Sequence, residues 1–154
     1  LRQIADGKVT ATFLAAAGLD RLGRAAGTAL SLEDWLPASA QGIVGMTCRA
    51  DDTATLALLA EINHAESFTS LMAERAVLEG LGGSCHTAVA VHAFPGAALQ
   101  LRAELFSPDG RDRVSASLSG AGDPRELGLA LAEQLMTEAT PAILASLSPA
   151  DPVR

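Results

Sequence analysis

Two turn signals in the second half of the sequence constrain the fold more than any other feature. Pro95-Gly96 and Pro108-Asp109-Gly110 combine residues that favour tight turns. They separate three segments with strand-like patterns, at positions 87–93, 98–106 and 113–119. Because short turns join neighbouring strands, the sequence predicts a three-stranded antiparallel meander.

A helix is predicted on each side of this sheet. Residues 65–80 carry apolar side chains at three- and four-residue steps, and the glycines from Gly80 to Gly83 end the helix. The second helix begins at Asp123-Pro124, since proline is favoured in a first helical turn. The apolar faces expected for the two helices are Phe68, Leu71, Met72, Ala76 and Leu78, and Leu127, Leu129, Leu131, Leu135 and Met136. The order of helix, glycine loop, three strands and helix indicates a compact α+β unit.

The first third of the sequence has a different pattern. Residues 9–17 and 43–48 are short apolar runs that favour buried strands, although the alanines of the first run keep a helix possible. Short helices are expected over residues 53–61 and 141–147. The chain starts at Leu1 rather than at a methionine, and we expect that an N-terminal portion is missing.

Charge and composition argue against several functions. Eighteen acidic and 11 basic residues give a net charge of −7, which disfavours binding to nucleic acid or to anionic membranes. Aromatic residues make up 3%, too few for a base-stacking platform. No apolar run approaches the roughly 20 residues that span a bilayer, and two cysteines are too few for a disulfide framework. We therefore expect a reduced, cytoplasmic protein with no nucleic-acid or membrane partner.

The loop Leu81-Gly82-Gly83-Ser84-Cys85-His86-Thr87 carries the most informative candidate site. Glycines let a backbone approach a ligand closely, and a cysteine at the end of such a loop can be exposed and reactive. His86 or a nearby cation would favour its nucleophilic thiolate. The alternative is a buried, inert Cys85. The cysteines and histidines show no metal-ligand spacing, so no metal is expected.

Arginines form a second candidate constellation. The planar forks of Arg21, Arg49 and Arg75 suit carboxylates. Their spacing does not show that they converge, and ordinary surface arginines are the alternative. Gln41-Gly42 is a third candidate, for which an exposed turn is the alternative. Neither a pair of catalytic carboxylates nor a nucleotide-binding glycine fingerprint is recognisable.

Six segments in the first 90 residues have a specific order and spacing. They are LAAAGLDRLG at 14–23, LPASAQG at 36–42, Cys48-Arg49, Asn63-His64, AERA at 73–76, and the loop that ends in Cys85. Together they resemble the hydroxymethylbilane synthase (porphobilinogen deaminase) family, in its C-terminal half. After Thr87 only the pattern of strands and helices agrees with that family.

The resemblance implies an enzyme of tetrapyrrole synthesis. The family condenses four porphobilinogen molecules head to tail, with release of ammonia, into hydroxymethylbilane. It extends a dipyrromethane cofactor that is bound by a thioether to the loop cysteine, here Cys85. Family arginines bind the acetate and propionate groups of the cofactor and of the growing chain. The cofactor-binding residues that the resemblance implies here are Cys85, Arg21, Arg49, Arg75, Gln41, Gly42, Gly83 and Ser84.

The resemblance also implies a division into domains and a missing partner. Residues 1–36 correspond to the C-terminal part of domain 2, and residues 37–42 form a linker. Residues 43–62 return to domain 1, and residues 63–154 form domain 3, which carries the cofactor. The expected fold is thus α/β pieces of domains 1 and 2, followed by an α+β domain with a three-stranded antiparallel sheet packed on helices.

The family's catalytic aspartate belongs to the N-terminal half, so no catalytic residue is identified in this half. The chain alone is expected to be inactive. Its expected partners are the missing N-terminal half, porphobilinogen and pyrrole-chain intermediates, and the complete protein is expected to be a monomer.

Two positions depart from the family pattern. Ala88 stands where the family usually has proline, and His86 stands where arginine or glutamine is common. Neither change removes the thiol of Cys85. The alternative function is a non-catalytic binding module for an anionic small molecule, in which Cys85 is structural or redox-sensing.

Overall fold

The computed structural model describes residues 1–83 and 87–147, and in that part of the chain it combines helices with a three-stranded antiparallel sheet. The elements in chain order are α1 (Arg2–Ala5), α2 (Ala16–Arg21), α3 (Thr53–Glu61), α4 (Ala65–Gly80), β1 (Val89–Phe94), β2 (Leu99–Phe106), β3 (Arg113–Gly120), α5 (Pro124–Glu138) and α6 (Pro141–Leu147). The predicted α+β class is confirmed. None of the described helices is long and apolar enough to cross a lipid bilayer.

The chain divides into two compact units, of which the first covers residues 1–31 and the second begins at Leu32. The first unit contains α1 and α2. All of residues 1–31 are described, and none of their side chains is buried. The strand predicted over residues 9–17 is wrong, because α2 begins at Ala16 and the residues before it form no strand. A strand needs a neighbour for its backbone hydrogen bonds, and residues 1–31 provide none.

The start of the second unit is also largely exposed. Residues 43–48 form no strand, contrary to the pattern of their apolar run, and Val44 is 84% exposed. The helix α3 covers the predicted residues, but none of its side chains is buried. Asp52 caps this helix, since its carboxylate accepts hydrogen bonds from the backbone N–H and the hydroxyl of Thr55, at 3.0 and 2.8 Å. These two hydrogen bonds lower the pKa of Asp52 below its ordinary value.

The sheet has the strand order β1-β2-β3 and confirms the predicted meander. Val91 lies opposite Ala103, which in turn lies opposite Ala116. Side chains alternate between the two faces of the strands. The core-facing set is Val89, Val91, Ala93, Leu99, Leu101, Ala103, Leu105, Val114, Ala116 and Leu118.

Helices α4 and α5 cover this inner face, and Leu81 and Ile143 of α6 also belong to the core. The buried residues of α4 and α5 are Ser70, Ala73, Glu74, Ala76 and Val77, and Gly128, Leu131, Ala132 and Leu135. The predicted apolar faces are therefore only partly right. Leu131 and Leu135 are fully buried, whereas Phe68 is 51% exposed. The helices meet through small side chains, which allow a closer approach than leucine or phenylalanine would.

Gly128 is the point of closest approach between α5 and α4. A Cβ atom at this position would lie 2.3 Å from the carbonyl oxygen of Ala73 and 2.6 Å from the Cβ of Ala76. Both contacts are with rigid parts of α4, so neither can move aside cheaply. The crossing of the two helices therefore requires glycine here.

We predict that Gly128→Ala lowers the free energy of unfolding by about 1–2 kcal/mol, because overpacking against the backbone of α4 outweighs the better helix propensity of alanine. Gly122→Ala is the matched control, since a Cβ there meets no atom within 4 Å. Urea unfolding followed by circular dichroism measures both. Equal stability of the two variants would contradict the close crossing.

Candidate functional site

An open cleft of about 780 Å³ lies beside the glycine-rich loop in the second unit. The linker 37–42, helix α4, the start of β1 and the first turn of α5 contribute to its walls. The polar residues that line it are Ser39, Gln41, Arg75, Glu79, Thr87 and Arg125. Gly83 and Thr87, the described residues on either side of positions 84–86, both line this cleft.

The end of α4 brings the glycine loop to the cleft. Gly82 has a φ of +61°, in the left-handed region that glycine adopts without strain. Its N–H donates to the carbonyl of Glu79 at 3.0 Å, and the N–H of Gly83 donates to the carbonyl of Leu78 at 2.8 Å. This pair of bonds is a Schellman motif, which satisfies the last carbonyls of the helix. The chain is thereby fixed as it leaves the helix towards positions 84–86.

Glu74 holds the linker against the edge of the sheet. The residue is 4% exposed, and its two carboxylate oxygens accept hydrogen bonds from the backbone N–H groups of Ala40 at 2.6 Å and of Ala93 at 2.9 Å. Because β1 is an edge strand, the carboxylate replaces a strand partner at Ala93. The Nδ1 atom of His92 lies 3.6 Å from the same carboxylate. Glu74 thus fixes the position of Gln41, the next residue after Ala40, at the cleft.

The cleft presents positive charge and hydrogen-bond donors. Arg75 is exposed and has no ion-pair partner among residues 1–83 and 87–147. Arg125 forms an ion pair with Glu79. The Oγ atom of Ser39 is buried and finds no hydrogen-bond partner in the described part of the chain. A buried, unsatisfied hydroxyl costs about 1–3 kcal/mol of stability.

The structure brings some of the predicted site residues together. Gln41, Arg75 and Gly83, from three separate sequence motifs, line the same cleft. Gly42 lies in the adjoining linker with a φ of +83°, and it lines a second groove. Ser84 and Cys85 lie outside the described residues, so their roles stay predictions.

The other two predicted arginines belong to other parts of the chain. Arg49 does not line the cleft; its side chain is 85% exposed, and its Nε atom lies 3.8 Å from a carboxylate oxygen of Asp51. Arg21 belongs to the last turn of α2 in the first unit. A cofactor-binding role for these two arginines stays a prediction.

Sequence reasoning missed Glu74 as a functional residue. It lies at helical spacing from the buried Ser70 and Val77, on the face that packs against the sheet. A carboxylate on a buried helix face needs partners, and that position is the signal that was available. The sequence contained no comparable signal for Ser39, Glu79 or Arg125, because only the fold brings them to one cleft. Among the described residues, no group of three or more histidine, cysteine or acidic side chains could hold a metal ion.

Comparisons with known proteins agree on one family. The family model described as "Porphobilinogen deaminase, dipyromethane cofactor binding domain" matches residues 1–57. The model described as "Porphobilinogen deaminase, C-terminal domain" matches residues 68–137. The two matches lie in the order of the chain and together cover most of it.

Curated relatives carry the same name. The porphobilinogen deaminase of Sphingopyxis alaskensis is 46% identical over 148 residues, which are 93% of this chain and 46% of that protein. The protein of that name from Paracoccus denitrificans is 45% identical over 88% of this chain and 44% of its own length. The one from Thiobacillus denitrificans is 38% identical over 96% and 49%. The chain therefore spans about half the length of the curated relatives it matches.

We predict that Glu74→Gln lowers the free energy of unfolding by about 1–3 kcal/mol. The glutamine amide has one oxygen that can accept a hydrogen bond, so its NH₂ group would face the second backbone N–H group, and two donors cannot bond to each other. Amide hydrogen exchange at Ala40 and Ala93, followed by NMR, should accelerate in this variant. Glu133→Gln, at an exposed position of α5, is the control and should change neither quantity. Unchanged exchange at both amides in Glu74→Gln would show that the carboxylate does not hold the linker.

Proposed function

The chain belongs to the porphobilinogen deaminase family, and we propose that it forms the C-terminal half of a transferase that condenses four porphobilinogen molecules into hydroxymethylbilane with release of ammonia. The observation that carries this proposal is the convergence of Gln41, Arg75 and Gly83 on one cleft. Each pyrrole unit brings two carboxylates, which require donors such as the guanidinium group of Arg75. The two matching family models, both of porphobilinogen deaminase, do not support the alternative of a non-catalytic binding module.

The cleft fits a dipyrromethane cofactor attached through Cys85. A two-ring cofactor carries four carboxylates, and the cleft offers two guanidinium groups, the amide of Gln41 and the unsatisfied hydroxyl of Ser39. Gly83 and Thr87 bring the chain on both sides of Cys85 to this cleft. When bound, the cofactor supplies the primer to which porphobilinogen units are added.

The residues of this chain bind and orient rather than carry out proton transfer. Arg75 neutralises and orients a carboxylate of the cofactor or of the growing chain, and Gln41 adds a directional donor from the linker. Glu74 holds the linker beside Gln41, because its carboxylate accepts a hydrogen bond from the N–H of Ala40. We propose that Arg21 and Arg49 bind further carboxylates in the complete enzyme. The acid that assists ammonia loss belongs to the other half of the family's length, so this chain alone is inactive.

The partner of this chain is the N-terminal half of the same enzyme. An apolar groove of about 440 Å³ lies between residues 42–46, the end of α3 and the start of α4, and it includes Val44 and Phe68. Both side chains are more than half exposed. Exposed apolar surface of this kind marks an interaction site. We propose that the other half covers this groove, and that the complete protein is a cytoplasmic monomer with domains at residues 1–36, 43–62 and 63–154.

We predict that the full-length protein carries a mass adduct of two linked pyrrole units on the peptide that contains Cys85. Cys85→Ser should lose both the adduct and the turnover of porphobilinogen, because the thioether needs the thiol. Cys48→Ser is the matched control and should keep both. An unmodified Cys85 in active full-length protein would contradict the assignment of the cofactor to this residue.

We predict that Val44→Asp weakens the association of this chain with the separately produced N-terminal half by about tenfold or more, because a carboxylate would be buried without a partner. Leu144→Asp, at a partly exposed position of α6, is the control and should leave association unchanged. Co-purification and calorimetric titration measure the effect. Equal association of both variants would place the interface elsewhere.

A further inference from the structure

We propose that Ser39 and Arg125 form an additional carboxylate-binding subsite in the cleft, in which Glu79 occupies Arg125 until a carboxylate of the pyrrole chain replaces it. This inference rests on the proposed function and extends it to Ser39, Glu79 and Arg125. Glu79 and Arg125 lie outside the six segments that carry the family resemblance, and Ser39 stands at a variable position of the LPASAQG segment. Two independent observations support it: the unsatisfied hydroxyl of Ser39 and the half-exposed ion pair between Arg125 and Glu79.

The hydroxyl of Ser39 has an unused capacity to donate a hydrogen bond. Its Oγ atom is buried, lacks a hydrogen-bond partner within the described residues, and belongs to a residue that lines the cleft. Buried polar atoms are normally satisfied, and an unsatisfied one points to a partner that binds from outside the chain. The hydrogen bond between Glu74 and the neighbouring Ala40 fixes this segment against α4. The backbone of Ser39 is thus held in place, and rotation about its Cα–Cβ bond would turn the hydroxyl into the cleft, where a ligand carboxylate would accept from it.

Arg125 supplies charge from the first turn of α5. Its N–H donor group bonds the carboxylate of Glu79 on α4, and both residues line the cleft. The two side chains are 48% and 56% exposed, and an ion pair in such surroundings contributes little stability. A ligand carboxylate in the cleft that accepted from Ser39 or Arg75 as well as from Arg125 would make more hydrogen bonds than Glu79 makes with Arg125, and it would then replace Glu79.

Arg75 and Glu79 share one face of α4, because they are four residues apart. Arg75, Glu79 and Arg125 all line the cleft, and Glu79 pairs with Arg125. Without ligand, the three side chains carry a net charge of +1. When a ligand carboxylate takes the place of Glu79, it receives donors from α4, α5 and the linker at once. The subsite thus selects pyrroles that keep their anionic side chains.

The two partners of the ion pair give effects of opposite sign, which a purely structural ion pair would not. In the full-length enzyme, Arg125→Ala should raise the KM for porphobilinogen about tenfold, because a charge-assisted hydrogen bond is lost. Glu79→Gln should lower KM about two- to fivefold, because the competing carboxylate is removed. Ser39→Ala should raise KM about three- to tenfold.

Arg111→Ala is the matched control. Arg111 lies in the turn before β3, is 86% exposed and pairs with Asp109, so its loss removes a similar charge away from the cleft. Its KM should stay at the wild-type value. The melting temperature of each variant without substrate separates binding effects from folding effects.

A second readout is independent of turnover. The Nε–H resonance of Arg125 in full-length protein labelled with ¹⁵N-arginine should shift on addition of porphobilinogen, and the shift should be smaller in Ser39→Ala. If Arg125→Ala and Glu79→Gln change KM in the same direction, or if neither changes KM while the enzyme still consumes porphobilinogen, the subsite is wrong and the proposed function stands. If the full-length wild-type protein neither consumes porphobilinogen nor carries a pyrrole adduct, the proposed function itself is wrong.

Discussion

The candidate site depends on the two hydrogen bonds that the buried carboxylate of Glu74 accepts. This carboxylate joins the linker, helix α4 and the edge strand β1 through the backbone N–H groups of Ala40 and Ala93. A buried carboxylate is tolerated only when hydrogen bonds satisfy it, so these three parts cannot separate without leaving the charge unpaired. The hydrogen bonds of Glu74 therefore both cover the edge of the sheet at β1 and hold the linker as one wall of the cleft.

At the outer edge of β1, the same residues serve the fold and the candidate site. The N–H of Val91 donates to the carbonyl of Pro37 at 2.9 Å, and the N–H of Ala93 donates to Glu74. An uncovered edge strand would invite pairing with another chain, and here the linker and one carboxylate cover it. Because the covering segment continues into Ser39 and Gln41, protecting the edge also delivers two polar side chains to the cleft.

Local sequence signals predicted the second half of the fold well. They could not predict contacts between residues that are far apart in the sequence. Turn residues and helix caps act within a few positions, so the meander and the bounds of α3, α4 and α6 follow from short stretches of sequence. The runs at residues 9–17 and 43–48 were wrong as strands, because strand formation depends on a neighbour that spacing does not reveal. The convergence of Gln41, Arg75 and Gly83 likewise needed the fold; the family resemblance could name these residues but could not show their common cleft.

The most direct test is a crystal structure of the full-length protein purified with its native adduct. Electron density should run from the sulfur of Cys85 into the cleft between the linker and α4. At least one carboxylate of the adduct should lie within hydrogen-bond distance of the guanidinium group of Arg75, with Glu74 still bonded to Ala40 and Ala93. Density that leaves Cys85 away from this cleft, or an Arg75 that faces solvent beside an ordered adduct, would contradict the account.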